Sequence, residues 1–312
     1  MSNISILSSN PLVLTHTDQM YRHLHSALLE RLNNIKSVPF EFSNNKGDLI
    51  KEKYRYSYAI DEIFSHQDTT SYIKKFAQSV VPEFLKSLKN QIYEEGYHLK
   101  EKENLKYCLR IRVFEDKKGY SLQPHKDSED TIFSFILQLD SNNTRTAIYN
   151  KGRQFKLRGK FSKDPEEVKH QVASVINKIC PDEEIFMGES QFRKNIGLWT
   201  NNKFYRFEEI NNWLGLQEFN EKILNVDSNT IYGISNSLMN YINSSRLDKA
   251  NETNYHGVRP IQQESRRLLI MDLIAQPTLK EVLMMRGVNS DKNSYYLIYG
   301  PEKCRELTDL LS

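Results

Sequence analysis

The pattern of apolar and polar positions divides the chain into a helical front and a strand-rich centre. Apolar residues recur at helical spacing from Leu12 to Asn33 and from Thr70 to Glu95, which predicts helices in the N-terminal part. The segments Tyr107–Phe114 and Thr131–Leu139 are rich in β-branched and aromatic residues and predict buried strands. A polar turn through residues 116–119 follows the first strand. The predicted fold is α+β with a mainly β core.

The C-terminal third continues this pattern. An apolar strand is predicted at Arg266–Ile274, and Leu279–Ser312 is predicted to contain a helix, a strand at Tyr295–Tyr299 and a final short helix. We interpret residues 1–312 as a single domain. Its predicted parts are a helical N-terminal part at 1–100, a core at 105–275 with an insertion at about 145–230, and an extension at 276–312.

The first candidate for a functional site is a His-x-Asp motif. It occurs three times, at His16–Asp18, His66–Asp68 and His125–Asp127. Each of the first two aspartates precedes a run with helical spacing, so both are predicted to be helix N-caps. The third pair lies between two predicted strands. A metal site requires such a rigid scaffold, so His125 and Asp127 are the candidate ligands.

A third ligand must come from elsewhere in the chain. Only His170 and His256 lie downstream of the third motif, and the helical spacing around His170 favours an ordinary helical residue. His256 shortly precedes the strand that begins at Arg266. Two histidines and one carboxylate form an iron site with open coordination positions. The planar fork of an arginine on the next strand could hold a carboxylate bidentately.

These residues carry a resemblance to a known family. The chain resembles the iron(II)- and 2-oxoglutarate-dependent oxygenase superfamily, most closely its prolyl-hydroxylase-like branch, over about half of its length, from Tyr107 to Ile274. The matching residues are Gly119, His125, Asp127, His256, Val258 and Arg266. The resemblance implies a double-stranded β-helix, which is a jelly-roll or cupin-like barrel, with bracing N-terminal helices and a long insertion.

The resemblance also implies the ligands. His125, Asp127 and His256 would bind Fe(II), 2-oxoglutarate would chelate the metal, and Arg266 would pair with its distal carboxylate. Arg267 competes for this last role, but neighbouring side chains on a strand point to opposite faces. Arg266 is preferred because of its distance from His256 along the chain.

One cosubstrate contact has no obvious counterpart in this chain. The family often has a small hydroxyl residue two positions after the arginine, where this chain has Leu268. Tyr107 and Gln138, on neighbouring strands, are the candidates for the missing contact.

The implied reaction consumes O2 and 2-oxoglutarate and yields succinate, carbon dioxide and an oxidised substrate. Related halogenases replace the carboxylate ligand by glycine or alanine, so Asp127 argues against halogenation. Hydroxylation is favoured, with desaturation or ring closure as alternatives. The favoured substrate is a small anionic or amino-acid-like metabolite. A prolyl-type protein or peptide hydroxylase is the alternative, and a non-catalytic cupin-like binding module is a more distant one.

Charge and composition narrow the class of partner. A net charge of +3 over 312 residues does not indicate nucleic acid. Nucleic-acid repair oxygenases carry a second arginine six positions after the first, where this chain has Asp272. The basic strip from Arg145 to Lys163 is best explained as a solvated hairpin face, with an anion-binding surface as the alternative. The aromatic-rich segment from Gly188 to Leu216 similarly favours a satellite core over a substrate-stacking surface.

Localisation is predicted from features that the sequence lacks. No run of 18 apolar residues and no secretory leader pattern are present, which predicts a soluble cytoplasmic protein with no membrane partner. The three cysteines, Cys108, Cys180 and Cys304, are widely spaced and fit a reducing compartment.

Overall fold

The chain was analysed as a computed structural model. It describes residues 4–9, 12–43, 49–94, 98–99, 106–125, 127, 131–140, 143–150, 185–189, 196–200, 204–206, 220–227, 229–236, 242–243, 256–259, 261–275 and 293–311.

Most of the described elements are strands. Strands β1 to β9 are Ile4–Ser9, Leu12–Thr17, Val38–Ser43, Leu49–Ser57, His98–Leu99, Tyr107–Lys117, Leu122–His125, Thr131–Gln138 and Asn143–Asn150. Strands β10 to β18 are Ile185–Glu189, Ile196–Thr200, Phe204–Arg206, Asn220–Asn225, Thr230–Ser235, Ile242–Asn243, His256–Val258, Ser265–Ala275 and Tyr295–Ile298. Helices α1 to α5 are Gln19–Leu32, Ile60–Phe64, Gln67–Lys75, Val81–Glu94 and Pro301–Leu311. A π-helical turn, Phe76–Val80, joins α3 to α4. The predicted mainly β architecture is confirmed.

Two antiparallel sheets form the centre of the molecule. The large sheet has the order β1-β2-β14-β8-β17-β6-β4-β3, and β18 also pairs with β6. The small sheet has the order β13-β9-β16-β7. Along the chain, β6, β8, β14 and β17 belong to the large sheet, whereas β7, β9, β13 and β16 belong to the small one. This two-sheet arrangement is compatible with a β-sandwich or jelly roll.

The helices cover one face of the large sheet, which we call its outer face. On α1, buried residues recur three or four positions apart, as an amphipathic helix requires. They join a core cluster with alternate residues of β8 and β17, such as Phe133, Phe135, Leu269 and Met271. Because side chains alternate along a strand, the intervening residues point to the opposite, inner face.

The inner face of the large sheet packs against the small sheet. A second apolar cluster joins Phe114 and Leu268 of the large sheet to Ile148 and Leu224 of the small one. A hydrogen bond of 3.0 Å between the hydroxyls of Thr146 on β9 and Tyr232 on β14 also links the two sheets. The inner face is therefore enclosed between two layers of strand.

Two sequence predictions in the N-terminal part are wrong. Residues 12–17, predicted as helix, form β2, and the helix begins at Gln19. Asp18 caps this helix as predicted, because its side chain accepts a hydrogen bond of 2.7 Å from the Met20 amide. Asp68 is not an N-cap, because α3 begins at Gln67 with His66 in the cap position. The aspartate instead lies in the first turn, where its negative charge interacts favourably with the helix dipole.

The polar turn predicted after β6 begins later than expected. Asp116 and Lys117 continue the strand, and Asp116 is fully buried. The chain turns at Gly119, whose φ of 90° favours glycine. This displacement places a carboxylate inside the protein where the sequence suggested a solvated loop.

Some of the remaining sequence predictions are confirmed, and others concern residues that the structure does not describe. The strand near Tyr295 and the final helix are confirmed, and Cys108 and Cys304 are both buried. Several features of the sequence analysis lie outside the described residues. These are the predicted helix after Leu279, most of the basic strip and of the aromatic segment, and the single residues His170 and Cys180. No helix within the described ranges is both long and apolar enough to cross a membrane.

Candidate active site

The small sheet brings the two predicted metal-binding segments together. Its strands β7 and β16 are antiparallel, and His125 is the direct cross-strand partner of His256. Directly opposed residues of such a ladder share one face of the sheet. The side chain of His125 lies outside the described part of the structure, so its position rests on the backbone register.

Asp127 approaches His256 from the segment after β7. The Oδ2 atom of Asp127 lies 3.5 Å from Nε2 of His256, and the histidine is buried. The same carboxylate oxygen accepts a hydrogen bond of 2.8 Å from the Ser134 hydroxyl on β8. Ser134 therefore fixes the orientation of Asp127 from the inner face of the large sheet.

The spacing of these atoms is compatible with a shared metal ion. A nitrogen and an oxygen that each lie about 2.1 Å from one cation are roughly 3 Å apart, close to the distance between His256 and Asp127. No group of three potential ligands is found among the described side chains. The third ligand expected here is His125, whose side chain is not among them. The imidazole and carboxylate present fit the donor set of an Fe(II) site.

A second carboxylate lies behind Ser134. The serine hydroxyl is also 3.0 Å from Oδ1 of Asp272, on the adjacent strand β17. The other oxygen of Asp272 accepts hydrogen bonds from Arg110 and Arg112 of β6, at distances between 2.6 and 3.2 Å. A continuous polar network therefore runs from Asp127 through Ser134 and Asp272 to the two arginines.

Arg266 occupies the inner face nearer the start of β17. It is almost fully buried, and its Nη2 donates a hydrogen bond of 2.6 Å to Oδ2 of Asp116 on β6. Arg55 of β4 forms a bidentate pair with the same carboxylate, at 2.7 and 3.0 Å. Two guanidinium groups thus contact one buried carboxylate. The guanidinium of Arg55 also stacks on Tyr120.

Asp116 owes its ionised state to these arginines. Burial by itself raises the pKa of a carboxyl group. The positive charges and hydrogen bonds of Arg55 and Arg266 outweigh this effect and hold the pKa of Asp116 below its ordinary value.

Arg267 points away from this site. Its side chain is partly exposed and pairs with Asp140 at 3.0 Å, and it also donates to Asn33 at the end of α1. The expected alternation of the two arginines is therefore present. Of Arg266 and Arg267, Arg266 is the one whose guanidinium lies on the enclosed inner face, together with Asp116.

Gln138 lies on the inner face and Tyr107 does not. Gln138 is the cross-strand partner of Leu268 and is 1% exposed. Both atoms of its side-chain amide lack a hydrogen-bond partner among the described residues. Such a buried amide is costly unless a ligand or water satisfies it. Tyr107 belongs to the helix-side core and its hydroxyl accepts a bond from Thr308, so the structure does not bring it to Arg266.

Tyr232 extends the polar surface near Gln138 and Arg266. Burial is the main cause that raises the pKa of its phenol, and the positive charge of Arg266 partly opposes it. The side chain therefore remains a neutral hydroxyl group near Arg266 at physiological pH.

The other two His-x-Asp motifs lie at the starts of helices α1 and α3. His16 forms a hydrogen bond of 2.7 Å between its Nδ1 and the Tyr21 hydroxyl, while Asp18 caps α1. His66 and Asp68 are both exposed at the start of α3.

Sequence reasoning missed the partners of the predicted residues. These are Arg55, Arg110, Arg112, Asp116, Ser134, Tyr232 and Asn236. One signal was present in β6, where Arg110, Arg112 and Asp116 share one face of a largely buried strand with Phe114. Several charged residues on one face of a buried strand indicate a polar interior.

The chain was also compared with known proteins. Comparison with models of known protein families and with curated protein sequences finds no match.

Proposed function

We propose that the protein is an iron(II)- and 2-oxoglutarate-dependent dioxygenase. The observation that supports this most is the meeting of His256 with the segment of His125 and Asp127, which lies far away in sequence. His256 is opposite His125 in the small sheet and its imidazole lies 3.5 Å from the Asp127 carboxylate. Arg266 then follows on the next strand as a buried cation.

The strand order supports the proposed barrel. In a double-stranded β-helix, successive strands pass between two facing sheets that enclose a central site. Here the eight strands β6–β9, β13, β14, β16 and β17 divide equally between the large and small sheets. The candidate ligands come from β7, β16 and the segment before β8. We therefore propose a double-stranded β-helix as the specific fold.

Each site residue has a defined task in this proposal. His125, Asp127 and His256 hold Fe(II), and the metal with 2-oxoglutarate and O2 supplies the oxidative decarboxylation that is coupled to substrate oxidation. Ser134 orients Asp127 by its hydrogen bond of 2.8 Å. Such supporting contacts typically strengthen metal binding by about 10-fold to 100-fold.

Arg266 and Gln138 provide the proposed cosubstrate pocket. Asp116 holds the buried guanidinium of Arg266, which would bind the distal carboxylate of 2-oxoglutarate. The buried amide of Gln138 offers a donor on the neighbouring strand. It replaces the small hydroxyl residue that position 268 lacks.

The proposed substrate is a small anionic or amino-acid-like metabolite, and the proposed reaction is hydroxylation. Arg110 and Arg112 support an anionic substrate, because they add partly exposed positive charge to the inner face of the large sheet.

The test is turnover of 2-oxoglutarate to succinate without added substrate. Wild-type protein with Fe(II) should release succinate, and His125→Ala and Asp127→Ala should each lower the rate by about 100-fold or more, because each removes a metal ligand. His66→Ala and Asp68→Ala are matched controls from an exposed copy of the motif and should retain the wild-type rate.

Two outcomes would contradict the proposal. The first is an absence of succinate from correctly folded wild-type protein that has bound iron. The second is an equal loss of turnover in both pairs of variants, since only one pair belongs to the proposed site.

A further inference from the structure

The Ser134 hydroxyl lies between two carboxylates from different parts of the chain. Its Oγ is 2.8 Å from Oδ2 of Asp127 and 3.0 Å from Oδ1 of Asp272. A serine hydroxyl carries one hydrogen, so it can donate a full hydrogen bond to only one of these oxygens at a time. Asp127, a candidate metal ligand, is the nearer acceptor. Asp272 therefore contacts the same hydroxyl that supports this candidate ligand.

Asp272 is held on its other side by two arginines. Arg110 donates to its Oδ2 from Nε and Nη2, at 3.2 and 3.0 Å, and Arg112 donates from Nη2 to the same oxygen at 2.6 Å. Such charge-assisted hydrogen bonds are stronger than those between neutral groups. Only 4% of the Asp272 side chain is exposed. The carboxylate is thus fixed on β17, and its remaining oxygen is the one that contacts Ser134.

The strand register aligns these side chains. Ser134 of β8 and Arg110 of β6 are both direct cross-strand partners of Asp272, which lies on the strand between them. Directly opposed residues have their side chains on one face of a sheet. The three side chains therefore form a row across the inner face of the large sheet, and Asp127 contacts the Ser134 end of this row.

Asn236 contacts Ser134 from a third direction. Its Nδ2 donates to the Ser134 hydroxyl at 3.4 Å, and the asparagine is fully buried. This bond is longer, and so weaker, than the contacts with the two carboxylates. Since the amide is a donor, it leaves the hydroxyl hydrogen for a carboxylate. Ser134 is itself buried, so protein groups rather than bulk water determine the position of its hydroxyl.

We propose that Asp272 is a positioning residue for the candidate metal ligand Asp127, and that it acts through Ser134. The Ser134 oxygen stays between the two carboxylates because each of them attracts its single hydrogen. Asp272, fixed by the arginines, therefore keeps the hydroxyl where it supports Asp127. This inference rests on the metal site of the proposed function and adds a residue that is not itself a ligand.

The charge of Asp272 could strengthen metal binding by a different route. The oxygens of Asp127 and Asp272 that contact Ser134 are at most 5.8 Å apart, the sum of the two distances. At this separation, a second negative charge attracts a bound cation directly. Loss of affinity in one Asp272 variant would therefore not distinguish position from charge, and the experiment must separate the two.

The experiment is a titration of metal-free protein with Mn(II), in which electron paramagnetic resonance measures the free ion. Mn(II) is the probe because imidazole and carboxylate groups also bind it. Ser134→Ala removes the hydroxyl and should raise the Kd for Mn(II) by about tenfold or more. Ser134→Thr keeps a hydroxyl and should restore the Kd to nearly the wild-type value.

Two substitutions of Asp272 separate position from charge. Asp272→Ala should raise the Kd for Mn(II) by about tenfold, because Ser134 loses a group that holds it. Asp272→Asn removes the charge but keeps the shape. Its oxygen can accept from the arginines and its amide can donate to Ser134, so the hydroxyl still reaches Asp127. The asparagine variant should bind Mn(II) nearly as tightly as wild type, and an equal loss in both variants would overturn the inference.

A double variant tests the route through Ser134. If Asp272 acts through the hydroxyl, Asp272→Ala should have no further effect in a protein that already carries Ser134→Ala. Additive effects would contradict the inference, because Asp272 would then act on the metal independently. Asp140→Asn is the matched control. Asp140 also pairs with an arginine, Arg267, but away from the site, so this variant should keep the wild-type Kd.

Urea unfolding establishes which variants are folded. Asp272→Ala leaves two cations without their shared carboxylate, which is costly for buried groups. If this variant does not fold, Asp272→Leu combined with Arg112→Met replaces it in both comparisons. That pair removes one cation together with the carboxylate and preserves the volume of the side chains.

Failure of the inference and failure of the proposed function give different results. If wild type binds no Mn(II), the metal site and the positioning role both fail. If wild type binds Mn(II) and the alanine variants of Ser134 and Asp272 bind it equally well, the positioning role alone fails. If the variants behave as expected but Fe(II) protein does not bind 2-oxoglutarate, the positioning role stands and the dioxygenase function fails.

Discussion

At the scale of single residues, the most consequential feature is the sharing of Asp116 between Arg55 and Arg266. A buried carboxylate with two guanidinium partners fixes the position of Arg266 from a neighbouring strand. Both guanidinium groups lie in an enclosed region, where a charge acts more strongly than at the surface. Arg266 is therefore suited to hold an anionic group, whereas Arg267 is already paired on the other face.

Lysine substitutions test whether Arg266 or Arg267 binds 2-oxoglutarate. Arg266→Lys keeps the charge next to Asp116 but loses the bidentate fork, so we expect the Kd for 2-oxoglutarate to rise by about tenfold or more. Arg267→Lys, the matched control, should leave that Kd unchanged. Anaerobic titration of the iron-loaded proteins measures both. A larger effect at Arg267 would move the proposed anchor to the outer face.

The pH dependence of stability tests the ion pairs of Asp116. Its pKa is lowered in the folded protein from an ordinary value of 3.8. The stabilisation is thus complete well above pH 3.8 and is lost as the pH falls below 3.8 through the lowered folded value. At neutral pH, Asp116→Asn should cost about 3 kcal/mol or more, because it leaves two buried cations uncompensated.

Urea unfolding of wild type and Asp116→Asn at several pH values measures this difference. The gap in unfolding free energy should narrow as the pH falls below 3.8. Other acidic groups, such as Glu115, titrate in both proteins and cancel in the comparison. A gap that stays constant across this range would contradict the assignment.

At the scale of elements, the two faces of the strands in the large sheet have different roles. On β8 and β17, one set of alternate residues packs on the helices and the other set faces the small sheet. Close packing of the helices depends on Gly233 of β14. A Cβ atom at this position would lie 2.7 Å from Phe84 of α4 and 2.9 Å from Phe135 of β8.

Gly233→Ala should therefore destabilise the contact between sheet and helix. Phe84 and Phe135 are both fully buried and pack edge to face, so neither ring can move away freely. We expect a loss of about 1–3 kcal/mol in unfolding free energy, measured by urea denaturation. Gly300→Ala is the control, because nothing lies within 4 Å of a Cβ there. Equal effects of the two substitutions would disprove this packing account.

The elements also show which parts of the fold can be predicted from local sequence patterns. The strands around Tyr107, Thr131 and Arg266 were predictable because long runs of apolar residues determine them locally. The apolar group at residues 12–14 fits a helix or a strand equally well, and its pairing with β14 decides the outcome. Asp116 looked like a turn residue because its partner Arg55 lies 61 positions earlier. A register between distant strands is not visible in the local sequence.

At the scale of the whole molecule, the two sheets assemble a site from residues that are remote in sequence. The candidate metal ligands could be proposed from the sequence because their order resembles a family pattern. Their support by Ser134 and Asp272 was not, because it depends on how β8 and β17 pair. The fold thus places the candidate metal ligands and the buried Arg266 between the same two sheets.

The most direct test of this account is an anaerobic titration of metal-free protein, first with Fe(II) and then with 2-oxoglutarate. We expect a weak visible charge-transfer absorption, as is typical of a keto acid chelated to iron. It should be lost in Asp127→Ala and retained in the control Asp68→Ala. If wild type binds iron but develops no such absorption with 2-oxoglutarate, the dioxygenase assignment is contradicted, and the role proposed for Arg266 is contradicted with it.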